Sequence, residues 1–190
     1  MATFGLDLRT RRSLVASLPH NACVAEIGVL AGDFSSVIFT ETHPTALYLV
    51  DCWQTQDAEV YGQDPASANS QAYLDALYKE VCAKFANNRE VVVIRDFSIK
   101  AAIKFASESL DWVYIDANHL RVREDIEAWW PAVKSGGWIT GHDFTNTVGI
   151  TVKTDVTAFT TSRNLPLFVT TGEGGGIYEV NYPSWAFQKP

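Results

Sequence analysis

Residues 25–35 read AEIGVLAGDFS, an apolar run that ends in Glu26 and Gly28 and opens into helical text, DFSSVIFTE (33–41), just past a second glycine, Gly32. A strand that passes into a helix through two glycines makes a tight turn whose backbone can approach a ligand closely. The spacing is not the G-x-G-x-x-G of a pyrophosphate loop, and no Lys-Ser/Thr pair follows as in a P-loop. Glu26 beside the turn repels phosphate and attracts a cationic amine, while the helix amino terminus near Gly32 to Ser35 suits a carboxylate. An amino acid zwitterion satisfies both.

Outward from this stretch, apolar and β-branched runs recur at ALYLVD (46–51), EVVVIRD (90–96), DWVYIDA (111–117) and WITGHDF (138–144), separated by helical patterns over 70–87, 98–107 and 120–135. In the last of these, Val122, Ile126, Trp129, Trp130 and Val133 share one face, and Gly136 and Gly137 stand where a left-handed cap belongs. Such alternation predicts an α/β chain: a Rossmann-like, doubly wound, mostly parallel seven-stranded sheet with its ligand crevice at the strands' carboxyl ends. A Thr-rich stretch (147–163) predicts a weak helix, and PLFVTT (166–171), GEGGG (172–176), IYEV and SWAFQ predict a C-terminal antiparallel strand pair. Residues 54–69 are polar and punctuated by Gly62 and Pro65, a loop placed where lids are found.

The 190 residues, 47% hydrophobic and 19% charged, suit one domain over 1–190 with a single well-buried core. A formal charge of -7 argues against nucleic acid as a partner, and the cluster Arg9, Arg11 and Arg12 is too short to reverse that. Cys23, Cys52 and Cys82 lack metal-ligand spacing and fit a reducing cytoplasm. No run approaches membrane-spanning length and the apolar residues after Arg12 stop at Pro19, so neither a membrane nor a signal peptide is expected.

Asp51, ending the second run, is placed to accept hydrogen bonds from both hydroxyls of a ribose. An amino acid joined to a nucleoside is S-adenosylmethionine. EIGVLAGDFS followed by YLVDCW resembles motifs I and II of class I S-adenosylmethionine-dependent methyltransferases. More narrowly, the chain is similar over roughly residues 10 to 189 to a small group with E-x-G-V-x-x-G-x-F-S, an IDAxH strand end and GGxxxGHDF/Y. Here these are Glu26 to Ser35, Ile115 to His119 and Gly136 to Phe144. The resemblance implies that Glu26, Gly28, Gly32 and Ser35 surround the methionine part, Asp51 the ribose and Asp96-Phe97-Ser98 the adenine, with Asp116 also at the cofactor.

Each has a plainer reading. The glycines serve backbone geometry, Asp33 is a first-turn acid, Ser98 caps a helix, Asp96 caps the same helix, and Phe97 fills core. Trp129 and Trp130 read as packing, His20 and His43 as structural, and Arg121, Arg123, Glu124 and Asp125 as a solvated helix face.

Methyl transfer needs a deprotonated acceptor held at attack distance. Asp116 and His119 past the fourth strand, with His142 and Asp143 past the fifth, offer two means. One is a divalent cation such as magnesium on Asp116, His142 and Asp143, as in the metal-dependent O-methyltransferases this site resembles, although His142 stands where their first fifth-strand acid would be. The other is His119 or His142 as a general base beside Asp116. The expected function is methyl transfer to the hydroxyl of a small molecule or glycan, with a homodimer through an exposed terminal strand left open. The alternatives are a sensor that binds S-adenosylmethionine or S-adenosylhomocysteine without turnover, and a metal-dependent hydroxylase on the same fold.

Overall fold

The run that ends in Glu26 and Ile27 becomes β1 (Cys23–Ile27), and its neighbours decide the topology. In a computed structural model, which describes residues 5–56 and 69–190, the other strands are β2 (Ala46–Asp51), β3 (Val91–Arg95), β4 (Leu110–Ile115), β5 (Val133–Gly141), β6 (Phe168–Val169) and β7 (Trp185–Gln188). Pairing is parallel from β3 through β5 and antiparallel where β7 joins β5 and β6, giving the order β3-β2-β1-β4-β5-β7-β6. The chain leaves β1 for β2 on one side and later returns to β4 on the other. In doubly wound sheets such a reversal is where the ligand crevice lies, here at the carboxyl ends of β1 and β4.

Seven helices are described: α1 (Arg11–Ala16), α2 (Asp33–Thr42), α3 (Gln71–Lys84), α4 (Ser98–Ala102), α5 (Val122–Trp129), α6 (Val152–Ser162) and α7 (Gly176–Asn181). Because side chains alternate across a strand, β1 sends Ala25 and Ile27 to a core shared with α4, α5 and α6, and Val24 to a core shared with α1, α2 and α3. Leu14, Val15, Ile38 and Val81 fill the second core, and Ile126, Trp129, Phe159 and Trp185 the first. Both faces of the sheet are thus covered, as a parallel sheet requires.

The doubly wound sheet is as the strand spacing predicts, but several boundaries differ. The helix expected over 120–135 ends at Trp129, ahead of Pro131, which cannot donate to a continuing helix. Val133 already belongs to β5, and Gly136, at φ +78°, lies within that strand where its pairing with β4 shifts register, so it caps no helix. The 98–107 helix stops at Ala102, and Phe105 turns in to pack on Tyr48 and Trp129. IYEV forms part of α7, leaving β6 and β7 as the antiparallel pair. β7 is enclosed between β5 and β6, with Trp185, Ala186 and Phe187 wholly buried, and β6 forms that edge of the sheet. Most of the loop expected over 54–69 lies outside the described residues. No helix among the described residues is long and apolar enough to cross a membrane.

Candidate active site

Two-residue alternation puts Glu26 on the same face of β1 as Val24, beneath α1 and α2 and in register with Tyr114 of β4. Glu26 is 1% exposed, and Ser35, buried in the first turn of α2, donates its hydroxyl to Glu26 Oε2. Burial pushes the Glu26 carboxyl up to about 8, with Ser35 and Arg11 pulling the other way. A carboxylic acid in that state lacks a cation of its own.

Gly28, at φ +91°, carries the chain out of β1 against β4: a Cβ there would lie 2.1 Å from the Asp116 carbonyl oxygen. Backbone packing demands this glycine. Gly32, also left-handed, is the N-cap residue of α2 and makes no side-chain cap. The turn between them is held from β2. Asp51 Oδ2 accepts the Val29 and Leu30 N–H groups at 2.9 Å each, and Oδ1 accepts the Trp53 N–H at 2.8 Å. With about two lone-pair sites per oxygen, Oδ1 retains room for one more donor and Oδ2 for none. Asp51 thus shapes the elbow, with capacity left for a single ribose hydroxyl.

At the ends of β4 and β5 four titratable groups meet. His119 Nε2 lies 2.8 Å from Asp143 Oδ2 and 3.3 Å from Asp116 Oδ1, and His142 Nδ1 lies 3.0 Å from Asp143 Oδ1. Asp116 is also bound by Arg11, whose Nη2 stands 2.6 Å from Oδ2. Burial alone would raise the Asp116 carboxyl, but Arg11 and the histidines outweigh it and hold the group well below the usual carboxylate range. Asp143 is lowered in the same way by His119 and His142 against its burial. Both are carboxylates at neutral pH. His142 is buried with its ring stacked on Tyr178 of α7, centroids 5.8 Å apart, and its Nε2 has no hydrogen-bond partner among the described residues.

Residues 25–144, more than half of the chain, match the family model for a methyltransferase domain. The chain belongs to that family. S-adenosylmethionine is the family's cofactor. No curated protein matches the chain. Among solved structures, a precorrin-6y C5,15-methyltransferase from Geobacter metallireducens aligns with TM-score 0.64 at 17% identity, over 94% of this chain and 87% of that one. A methyltransferase candidate from Streptococcus mutans in complex with SAH aligns with TM-score 0.63 at 11% identity, over 94% and 95%. A spermidine synthase from Thermotoga maritima aligns with TM-score 0.57 at 14% identity, over 94% of this chain but only 60% of its own. At such identities the likeness is one of fold.

Within this methyltransferase domain the structure brings together Glu26, Gly28, Ser35, Asp116, His119, His142 and Asp143, and places the adenine-loop candidates on the other side of Asp51, where the Asp96 N–H donates to the Asp51 carbonyl at 3.0 Å. Asp96 accepts the Phe97 N–H and pairs with Lys104 at 2.6 Å, which lowers its carboxyl. Phe97 is the N-cap residue of α4, with Lys100 over its ring. Ser98 caps nothing: it is the first residue of α4, and its hydroxyl accepts the Trp129 indole N–H at 3.0 Å. Trp129 is core. Asp125, expected on a solvated face, is 4% exposed and hydrogen-bonded by Ser98, and burial raises it to about 6. Arg121, Arg123 and Glu124 do face solvent.

Asp116, His142 and Asp143 do offer ligand atoms within 4.8 Å of one another. The oxygens a magnesium ion would need are, however, spanned by the His119 ring and the Arg11 guanidinium, two protein groups that compete with a hard dication for the same charge. The donor set as built does not fit magnesium. The residue that sequence reasoning missed is Arg11. It shares an i, i+3, i+4, i+7 stripe with Leu14, Val15 and Leu18, so the periodicity that builds α1 also turns this arginine inward.

Proposed function

We propose that the chain is an S-adenosylmethionine-dependent methyltransferase acting on a hydroxyl of a small molecule or sugar, with His119 as the general base. One observation carries the reading: the His119 imidazole is clamped through Nε2 between two carboxylates, Asp143 and Asp116, at the mouth of the crevice that Glu26 and Gly28 close from the β1 side. The cofactor, when bound, supplies an electrophilic methyl group on a sulfonium. Everything else falls to the protein. Glu26, buried and short of a cation, suits the ammonium of the methionine part, and its proton leaves when that charge arrives. Asp51 keeps the elbow in shape and offers Oδ1 to one ribose hydroxyl. Asp143 and Asp116 hold the His119 ring through Nε2 and stabilise the imidazolium that forms when it takes the acceptor's proton.

The test is a panel of phenols and sugars assayed for S-adenosylhomocysteine release. His119→Gln is expected to lower turnover about 10²- to 10⁴-fold while S-adenosylhomocysteine affinity, read by calorimetry, stays unchanged. Turnover is expected to survive chelator. Undiminished turnover in His119→Gln would falsify the base assignment, and loss on chelation restored by magnesium would return the acid cluster to a metal.

A further inference from the structure

Arg11 carries more donors than the structure uses. Its guanidinium carbon lies over Phe34, 3.5 Å from the ring centroid, with the Tyr114 centroid at 5.0 Å, and its side chain is 17% exposed. Nη2 donates to Asp116, yet Nε, on the same side-on edge of the guanidinium, is buried and has no acceptor among the described residues. A buried donor left unmade is costly, and with Nη2 held by Asp116 the Nε–H is a charged donor that one oxygen of a ligand carboxylate would satisfy. The backbone of Arg11 is fixed as well, its N–H donating at 2.9 Å to Glu179 of α7.

The surrounding charges say which carboxylate belongs there. Glu26 and Asp116 both act on Arg11 from the sheet, two acids to one base. A ligand amine entering beside Glu26, which keeps its proton until then, answers the charge that this acid gains on ionising, and leaves the guanidinium to an anion borne by the same ligand. An amino acid zwitterion presents those two groups two bonds apart. An amine without a carboxylate would instead place a second cation against Arg11.

Resting on the cofactor reading above, we propose that Arg11 anchors the carboxylate of the cofactor's amino acid part, so that the crevice selects a zwitterionic nucleoside over its decarboxylated counterpart. The sequence points to the amino terminus of α2 for this group, where the Asp33 side chain faces solvent and pairs with Lys84.

Calorimetry on the full chain with S-adenosylhomocysteine and with decarboxylated S-adenosylhomocysteine, which keeps the amine, separates the possibilities. The wild type is expected to favour the first ligand by about 10- to 100-fold, the worth of a charge-assisted pair. Arg11→Gln is expected to lose that preference by weakening the first ligand alone, and Arg11→Lys, which keeps a charge over Phe34, to lose part of it. The lysine variant and a thermal melt of each protein guard against misfolding. Equal affinity of the wild type for both ligands, equal weakening of both in Arg11→Gln, or an unchanged preference in either variant overturns the assignment while leaving the cofactor intact. A wild type that binds neither ligand overturns the cofactor reading itself, and Arg11's role with it.

Discussion

At the scale of single residues, the buried pair of Glu26 and Ser35 makes a pH signature. The folded chain holds the Glu26 proton up to about 8, against an ordinary glutamate value of 4.5, so over that window the folded state binds a proton that the unfolded state has released. Stability is then greatest at the acid side and declines as pH rises toward 8, by an amount on the order of a few kcal/mol. Thermal midpoints measured from pH 5 to 8 are expected to fall in the ligand-free wild type. In Glu26→Gln the slope above pH 6 should vanish, and S-adenosylhomocysteine, whose ammonium favours the ionised acid, should flatten it in the wild type. Gly28 is decided differently. Its missing Cβ would sit 2.1 Å from the Asp116 carbonyl oxygen, so Gly28→Ala must push β1 from β4. A loss of at least about 3 kcal/mol in denaturant unfolding is expected, with the crevice disrupted as a consequence.

At the scale of elements, α5 is tied to α4 by a chain of polar groups inside an apolar interface: Trp129 donates to Ser98, and Ser98 bonds Asp125, whose Oδ2 has no partner among the described residues. Ser98→Ala is expected to cost about 1–3 kcal/mol, because it strands the indole N–H as well as the acid. Asp125, raised to about 6, adds its own decline in stability between about pH 4 and 6. Asp125→Asn should remove that part of the pH profile without touching the part due to Glu26. The two helices that border the site, α1 and α7, meet through Glu179 and the Arg11 N–H. Glu179→Ala is expected to speed hydrogen exchange over 176–181 while leaving the global melt within a few degrees. A matching loss of global stability would show that α7 is part of the cooperative core.

At the scale of the whole molecule, the last strand closes the fold. β7 is flanked on both sides, and the Trp185 ring lies against the place where a Gly141 Cβ would be, 2.4 Å away. Trp185→Ala is expected to lower stability by about 3–5 kcal/mol in denaturant titration, a large share of the roughly 5–15 kcal/mol that holds a domain folded. How much of this was legible follows from which forces are local. Alternating apolar runs and helical stripes are local, so the sequence by itself determined the doubly wound sheet, the strand ends and the carboxylates and imidazoles that stand on them. Boundaries such as the end of α5, where Pro131 precedes a strand that begins before its glycines, depend on pairing with β4. The partnerships were likewise beyond a linear reading. Arg11 meets Asp116 from 105 residues away, His119 spans the acids of two adjacent strands, and Asp125 is buried by a helix it never neighbours in sequence. Charge and hydrogen bonding act through space across a packed core, and only the tertiary structure decided which donor reaches which acceptor.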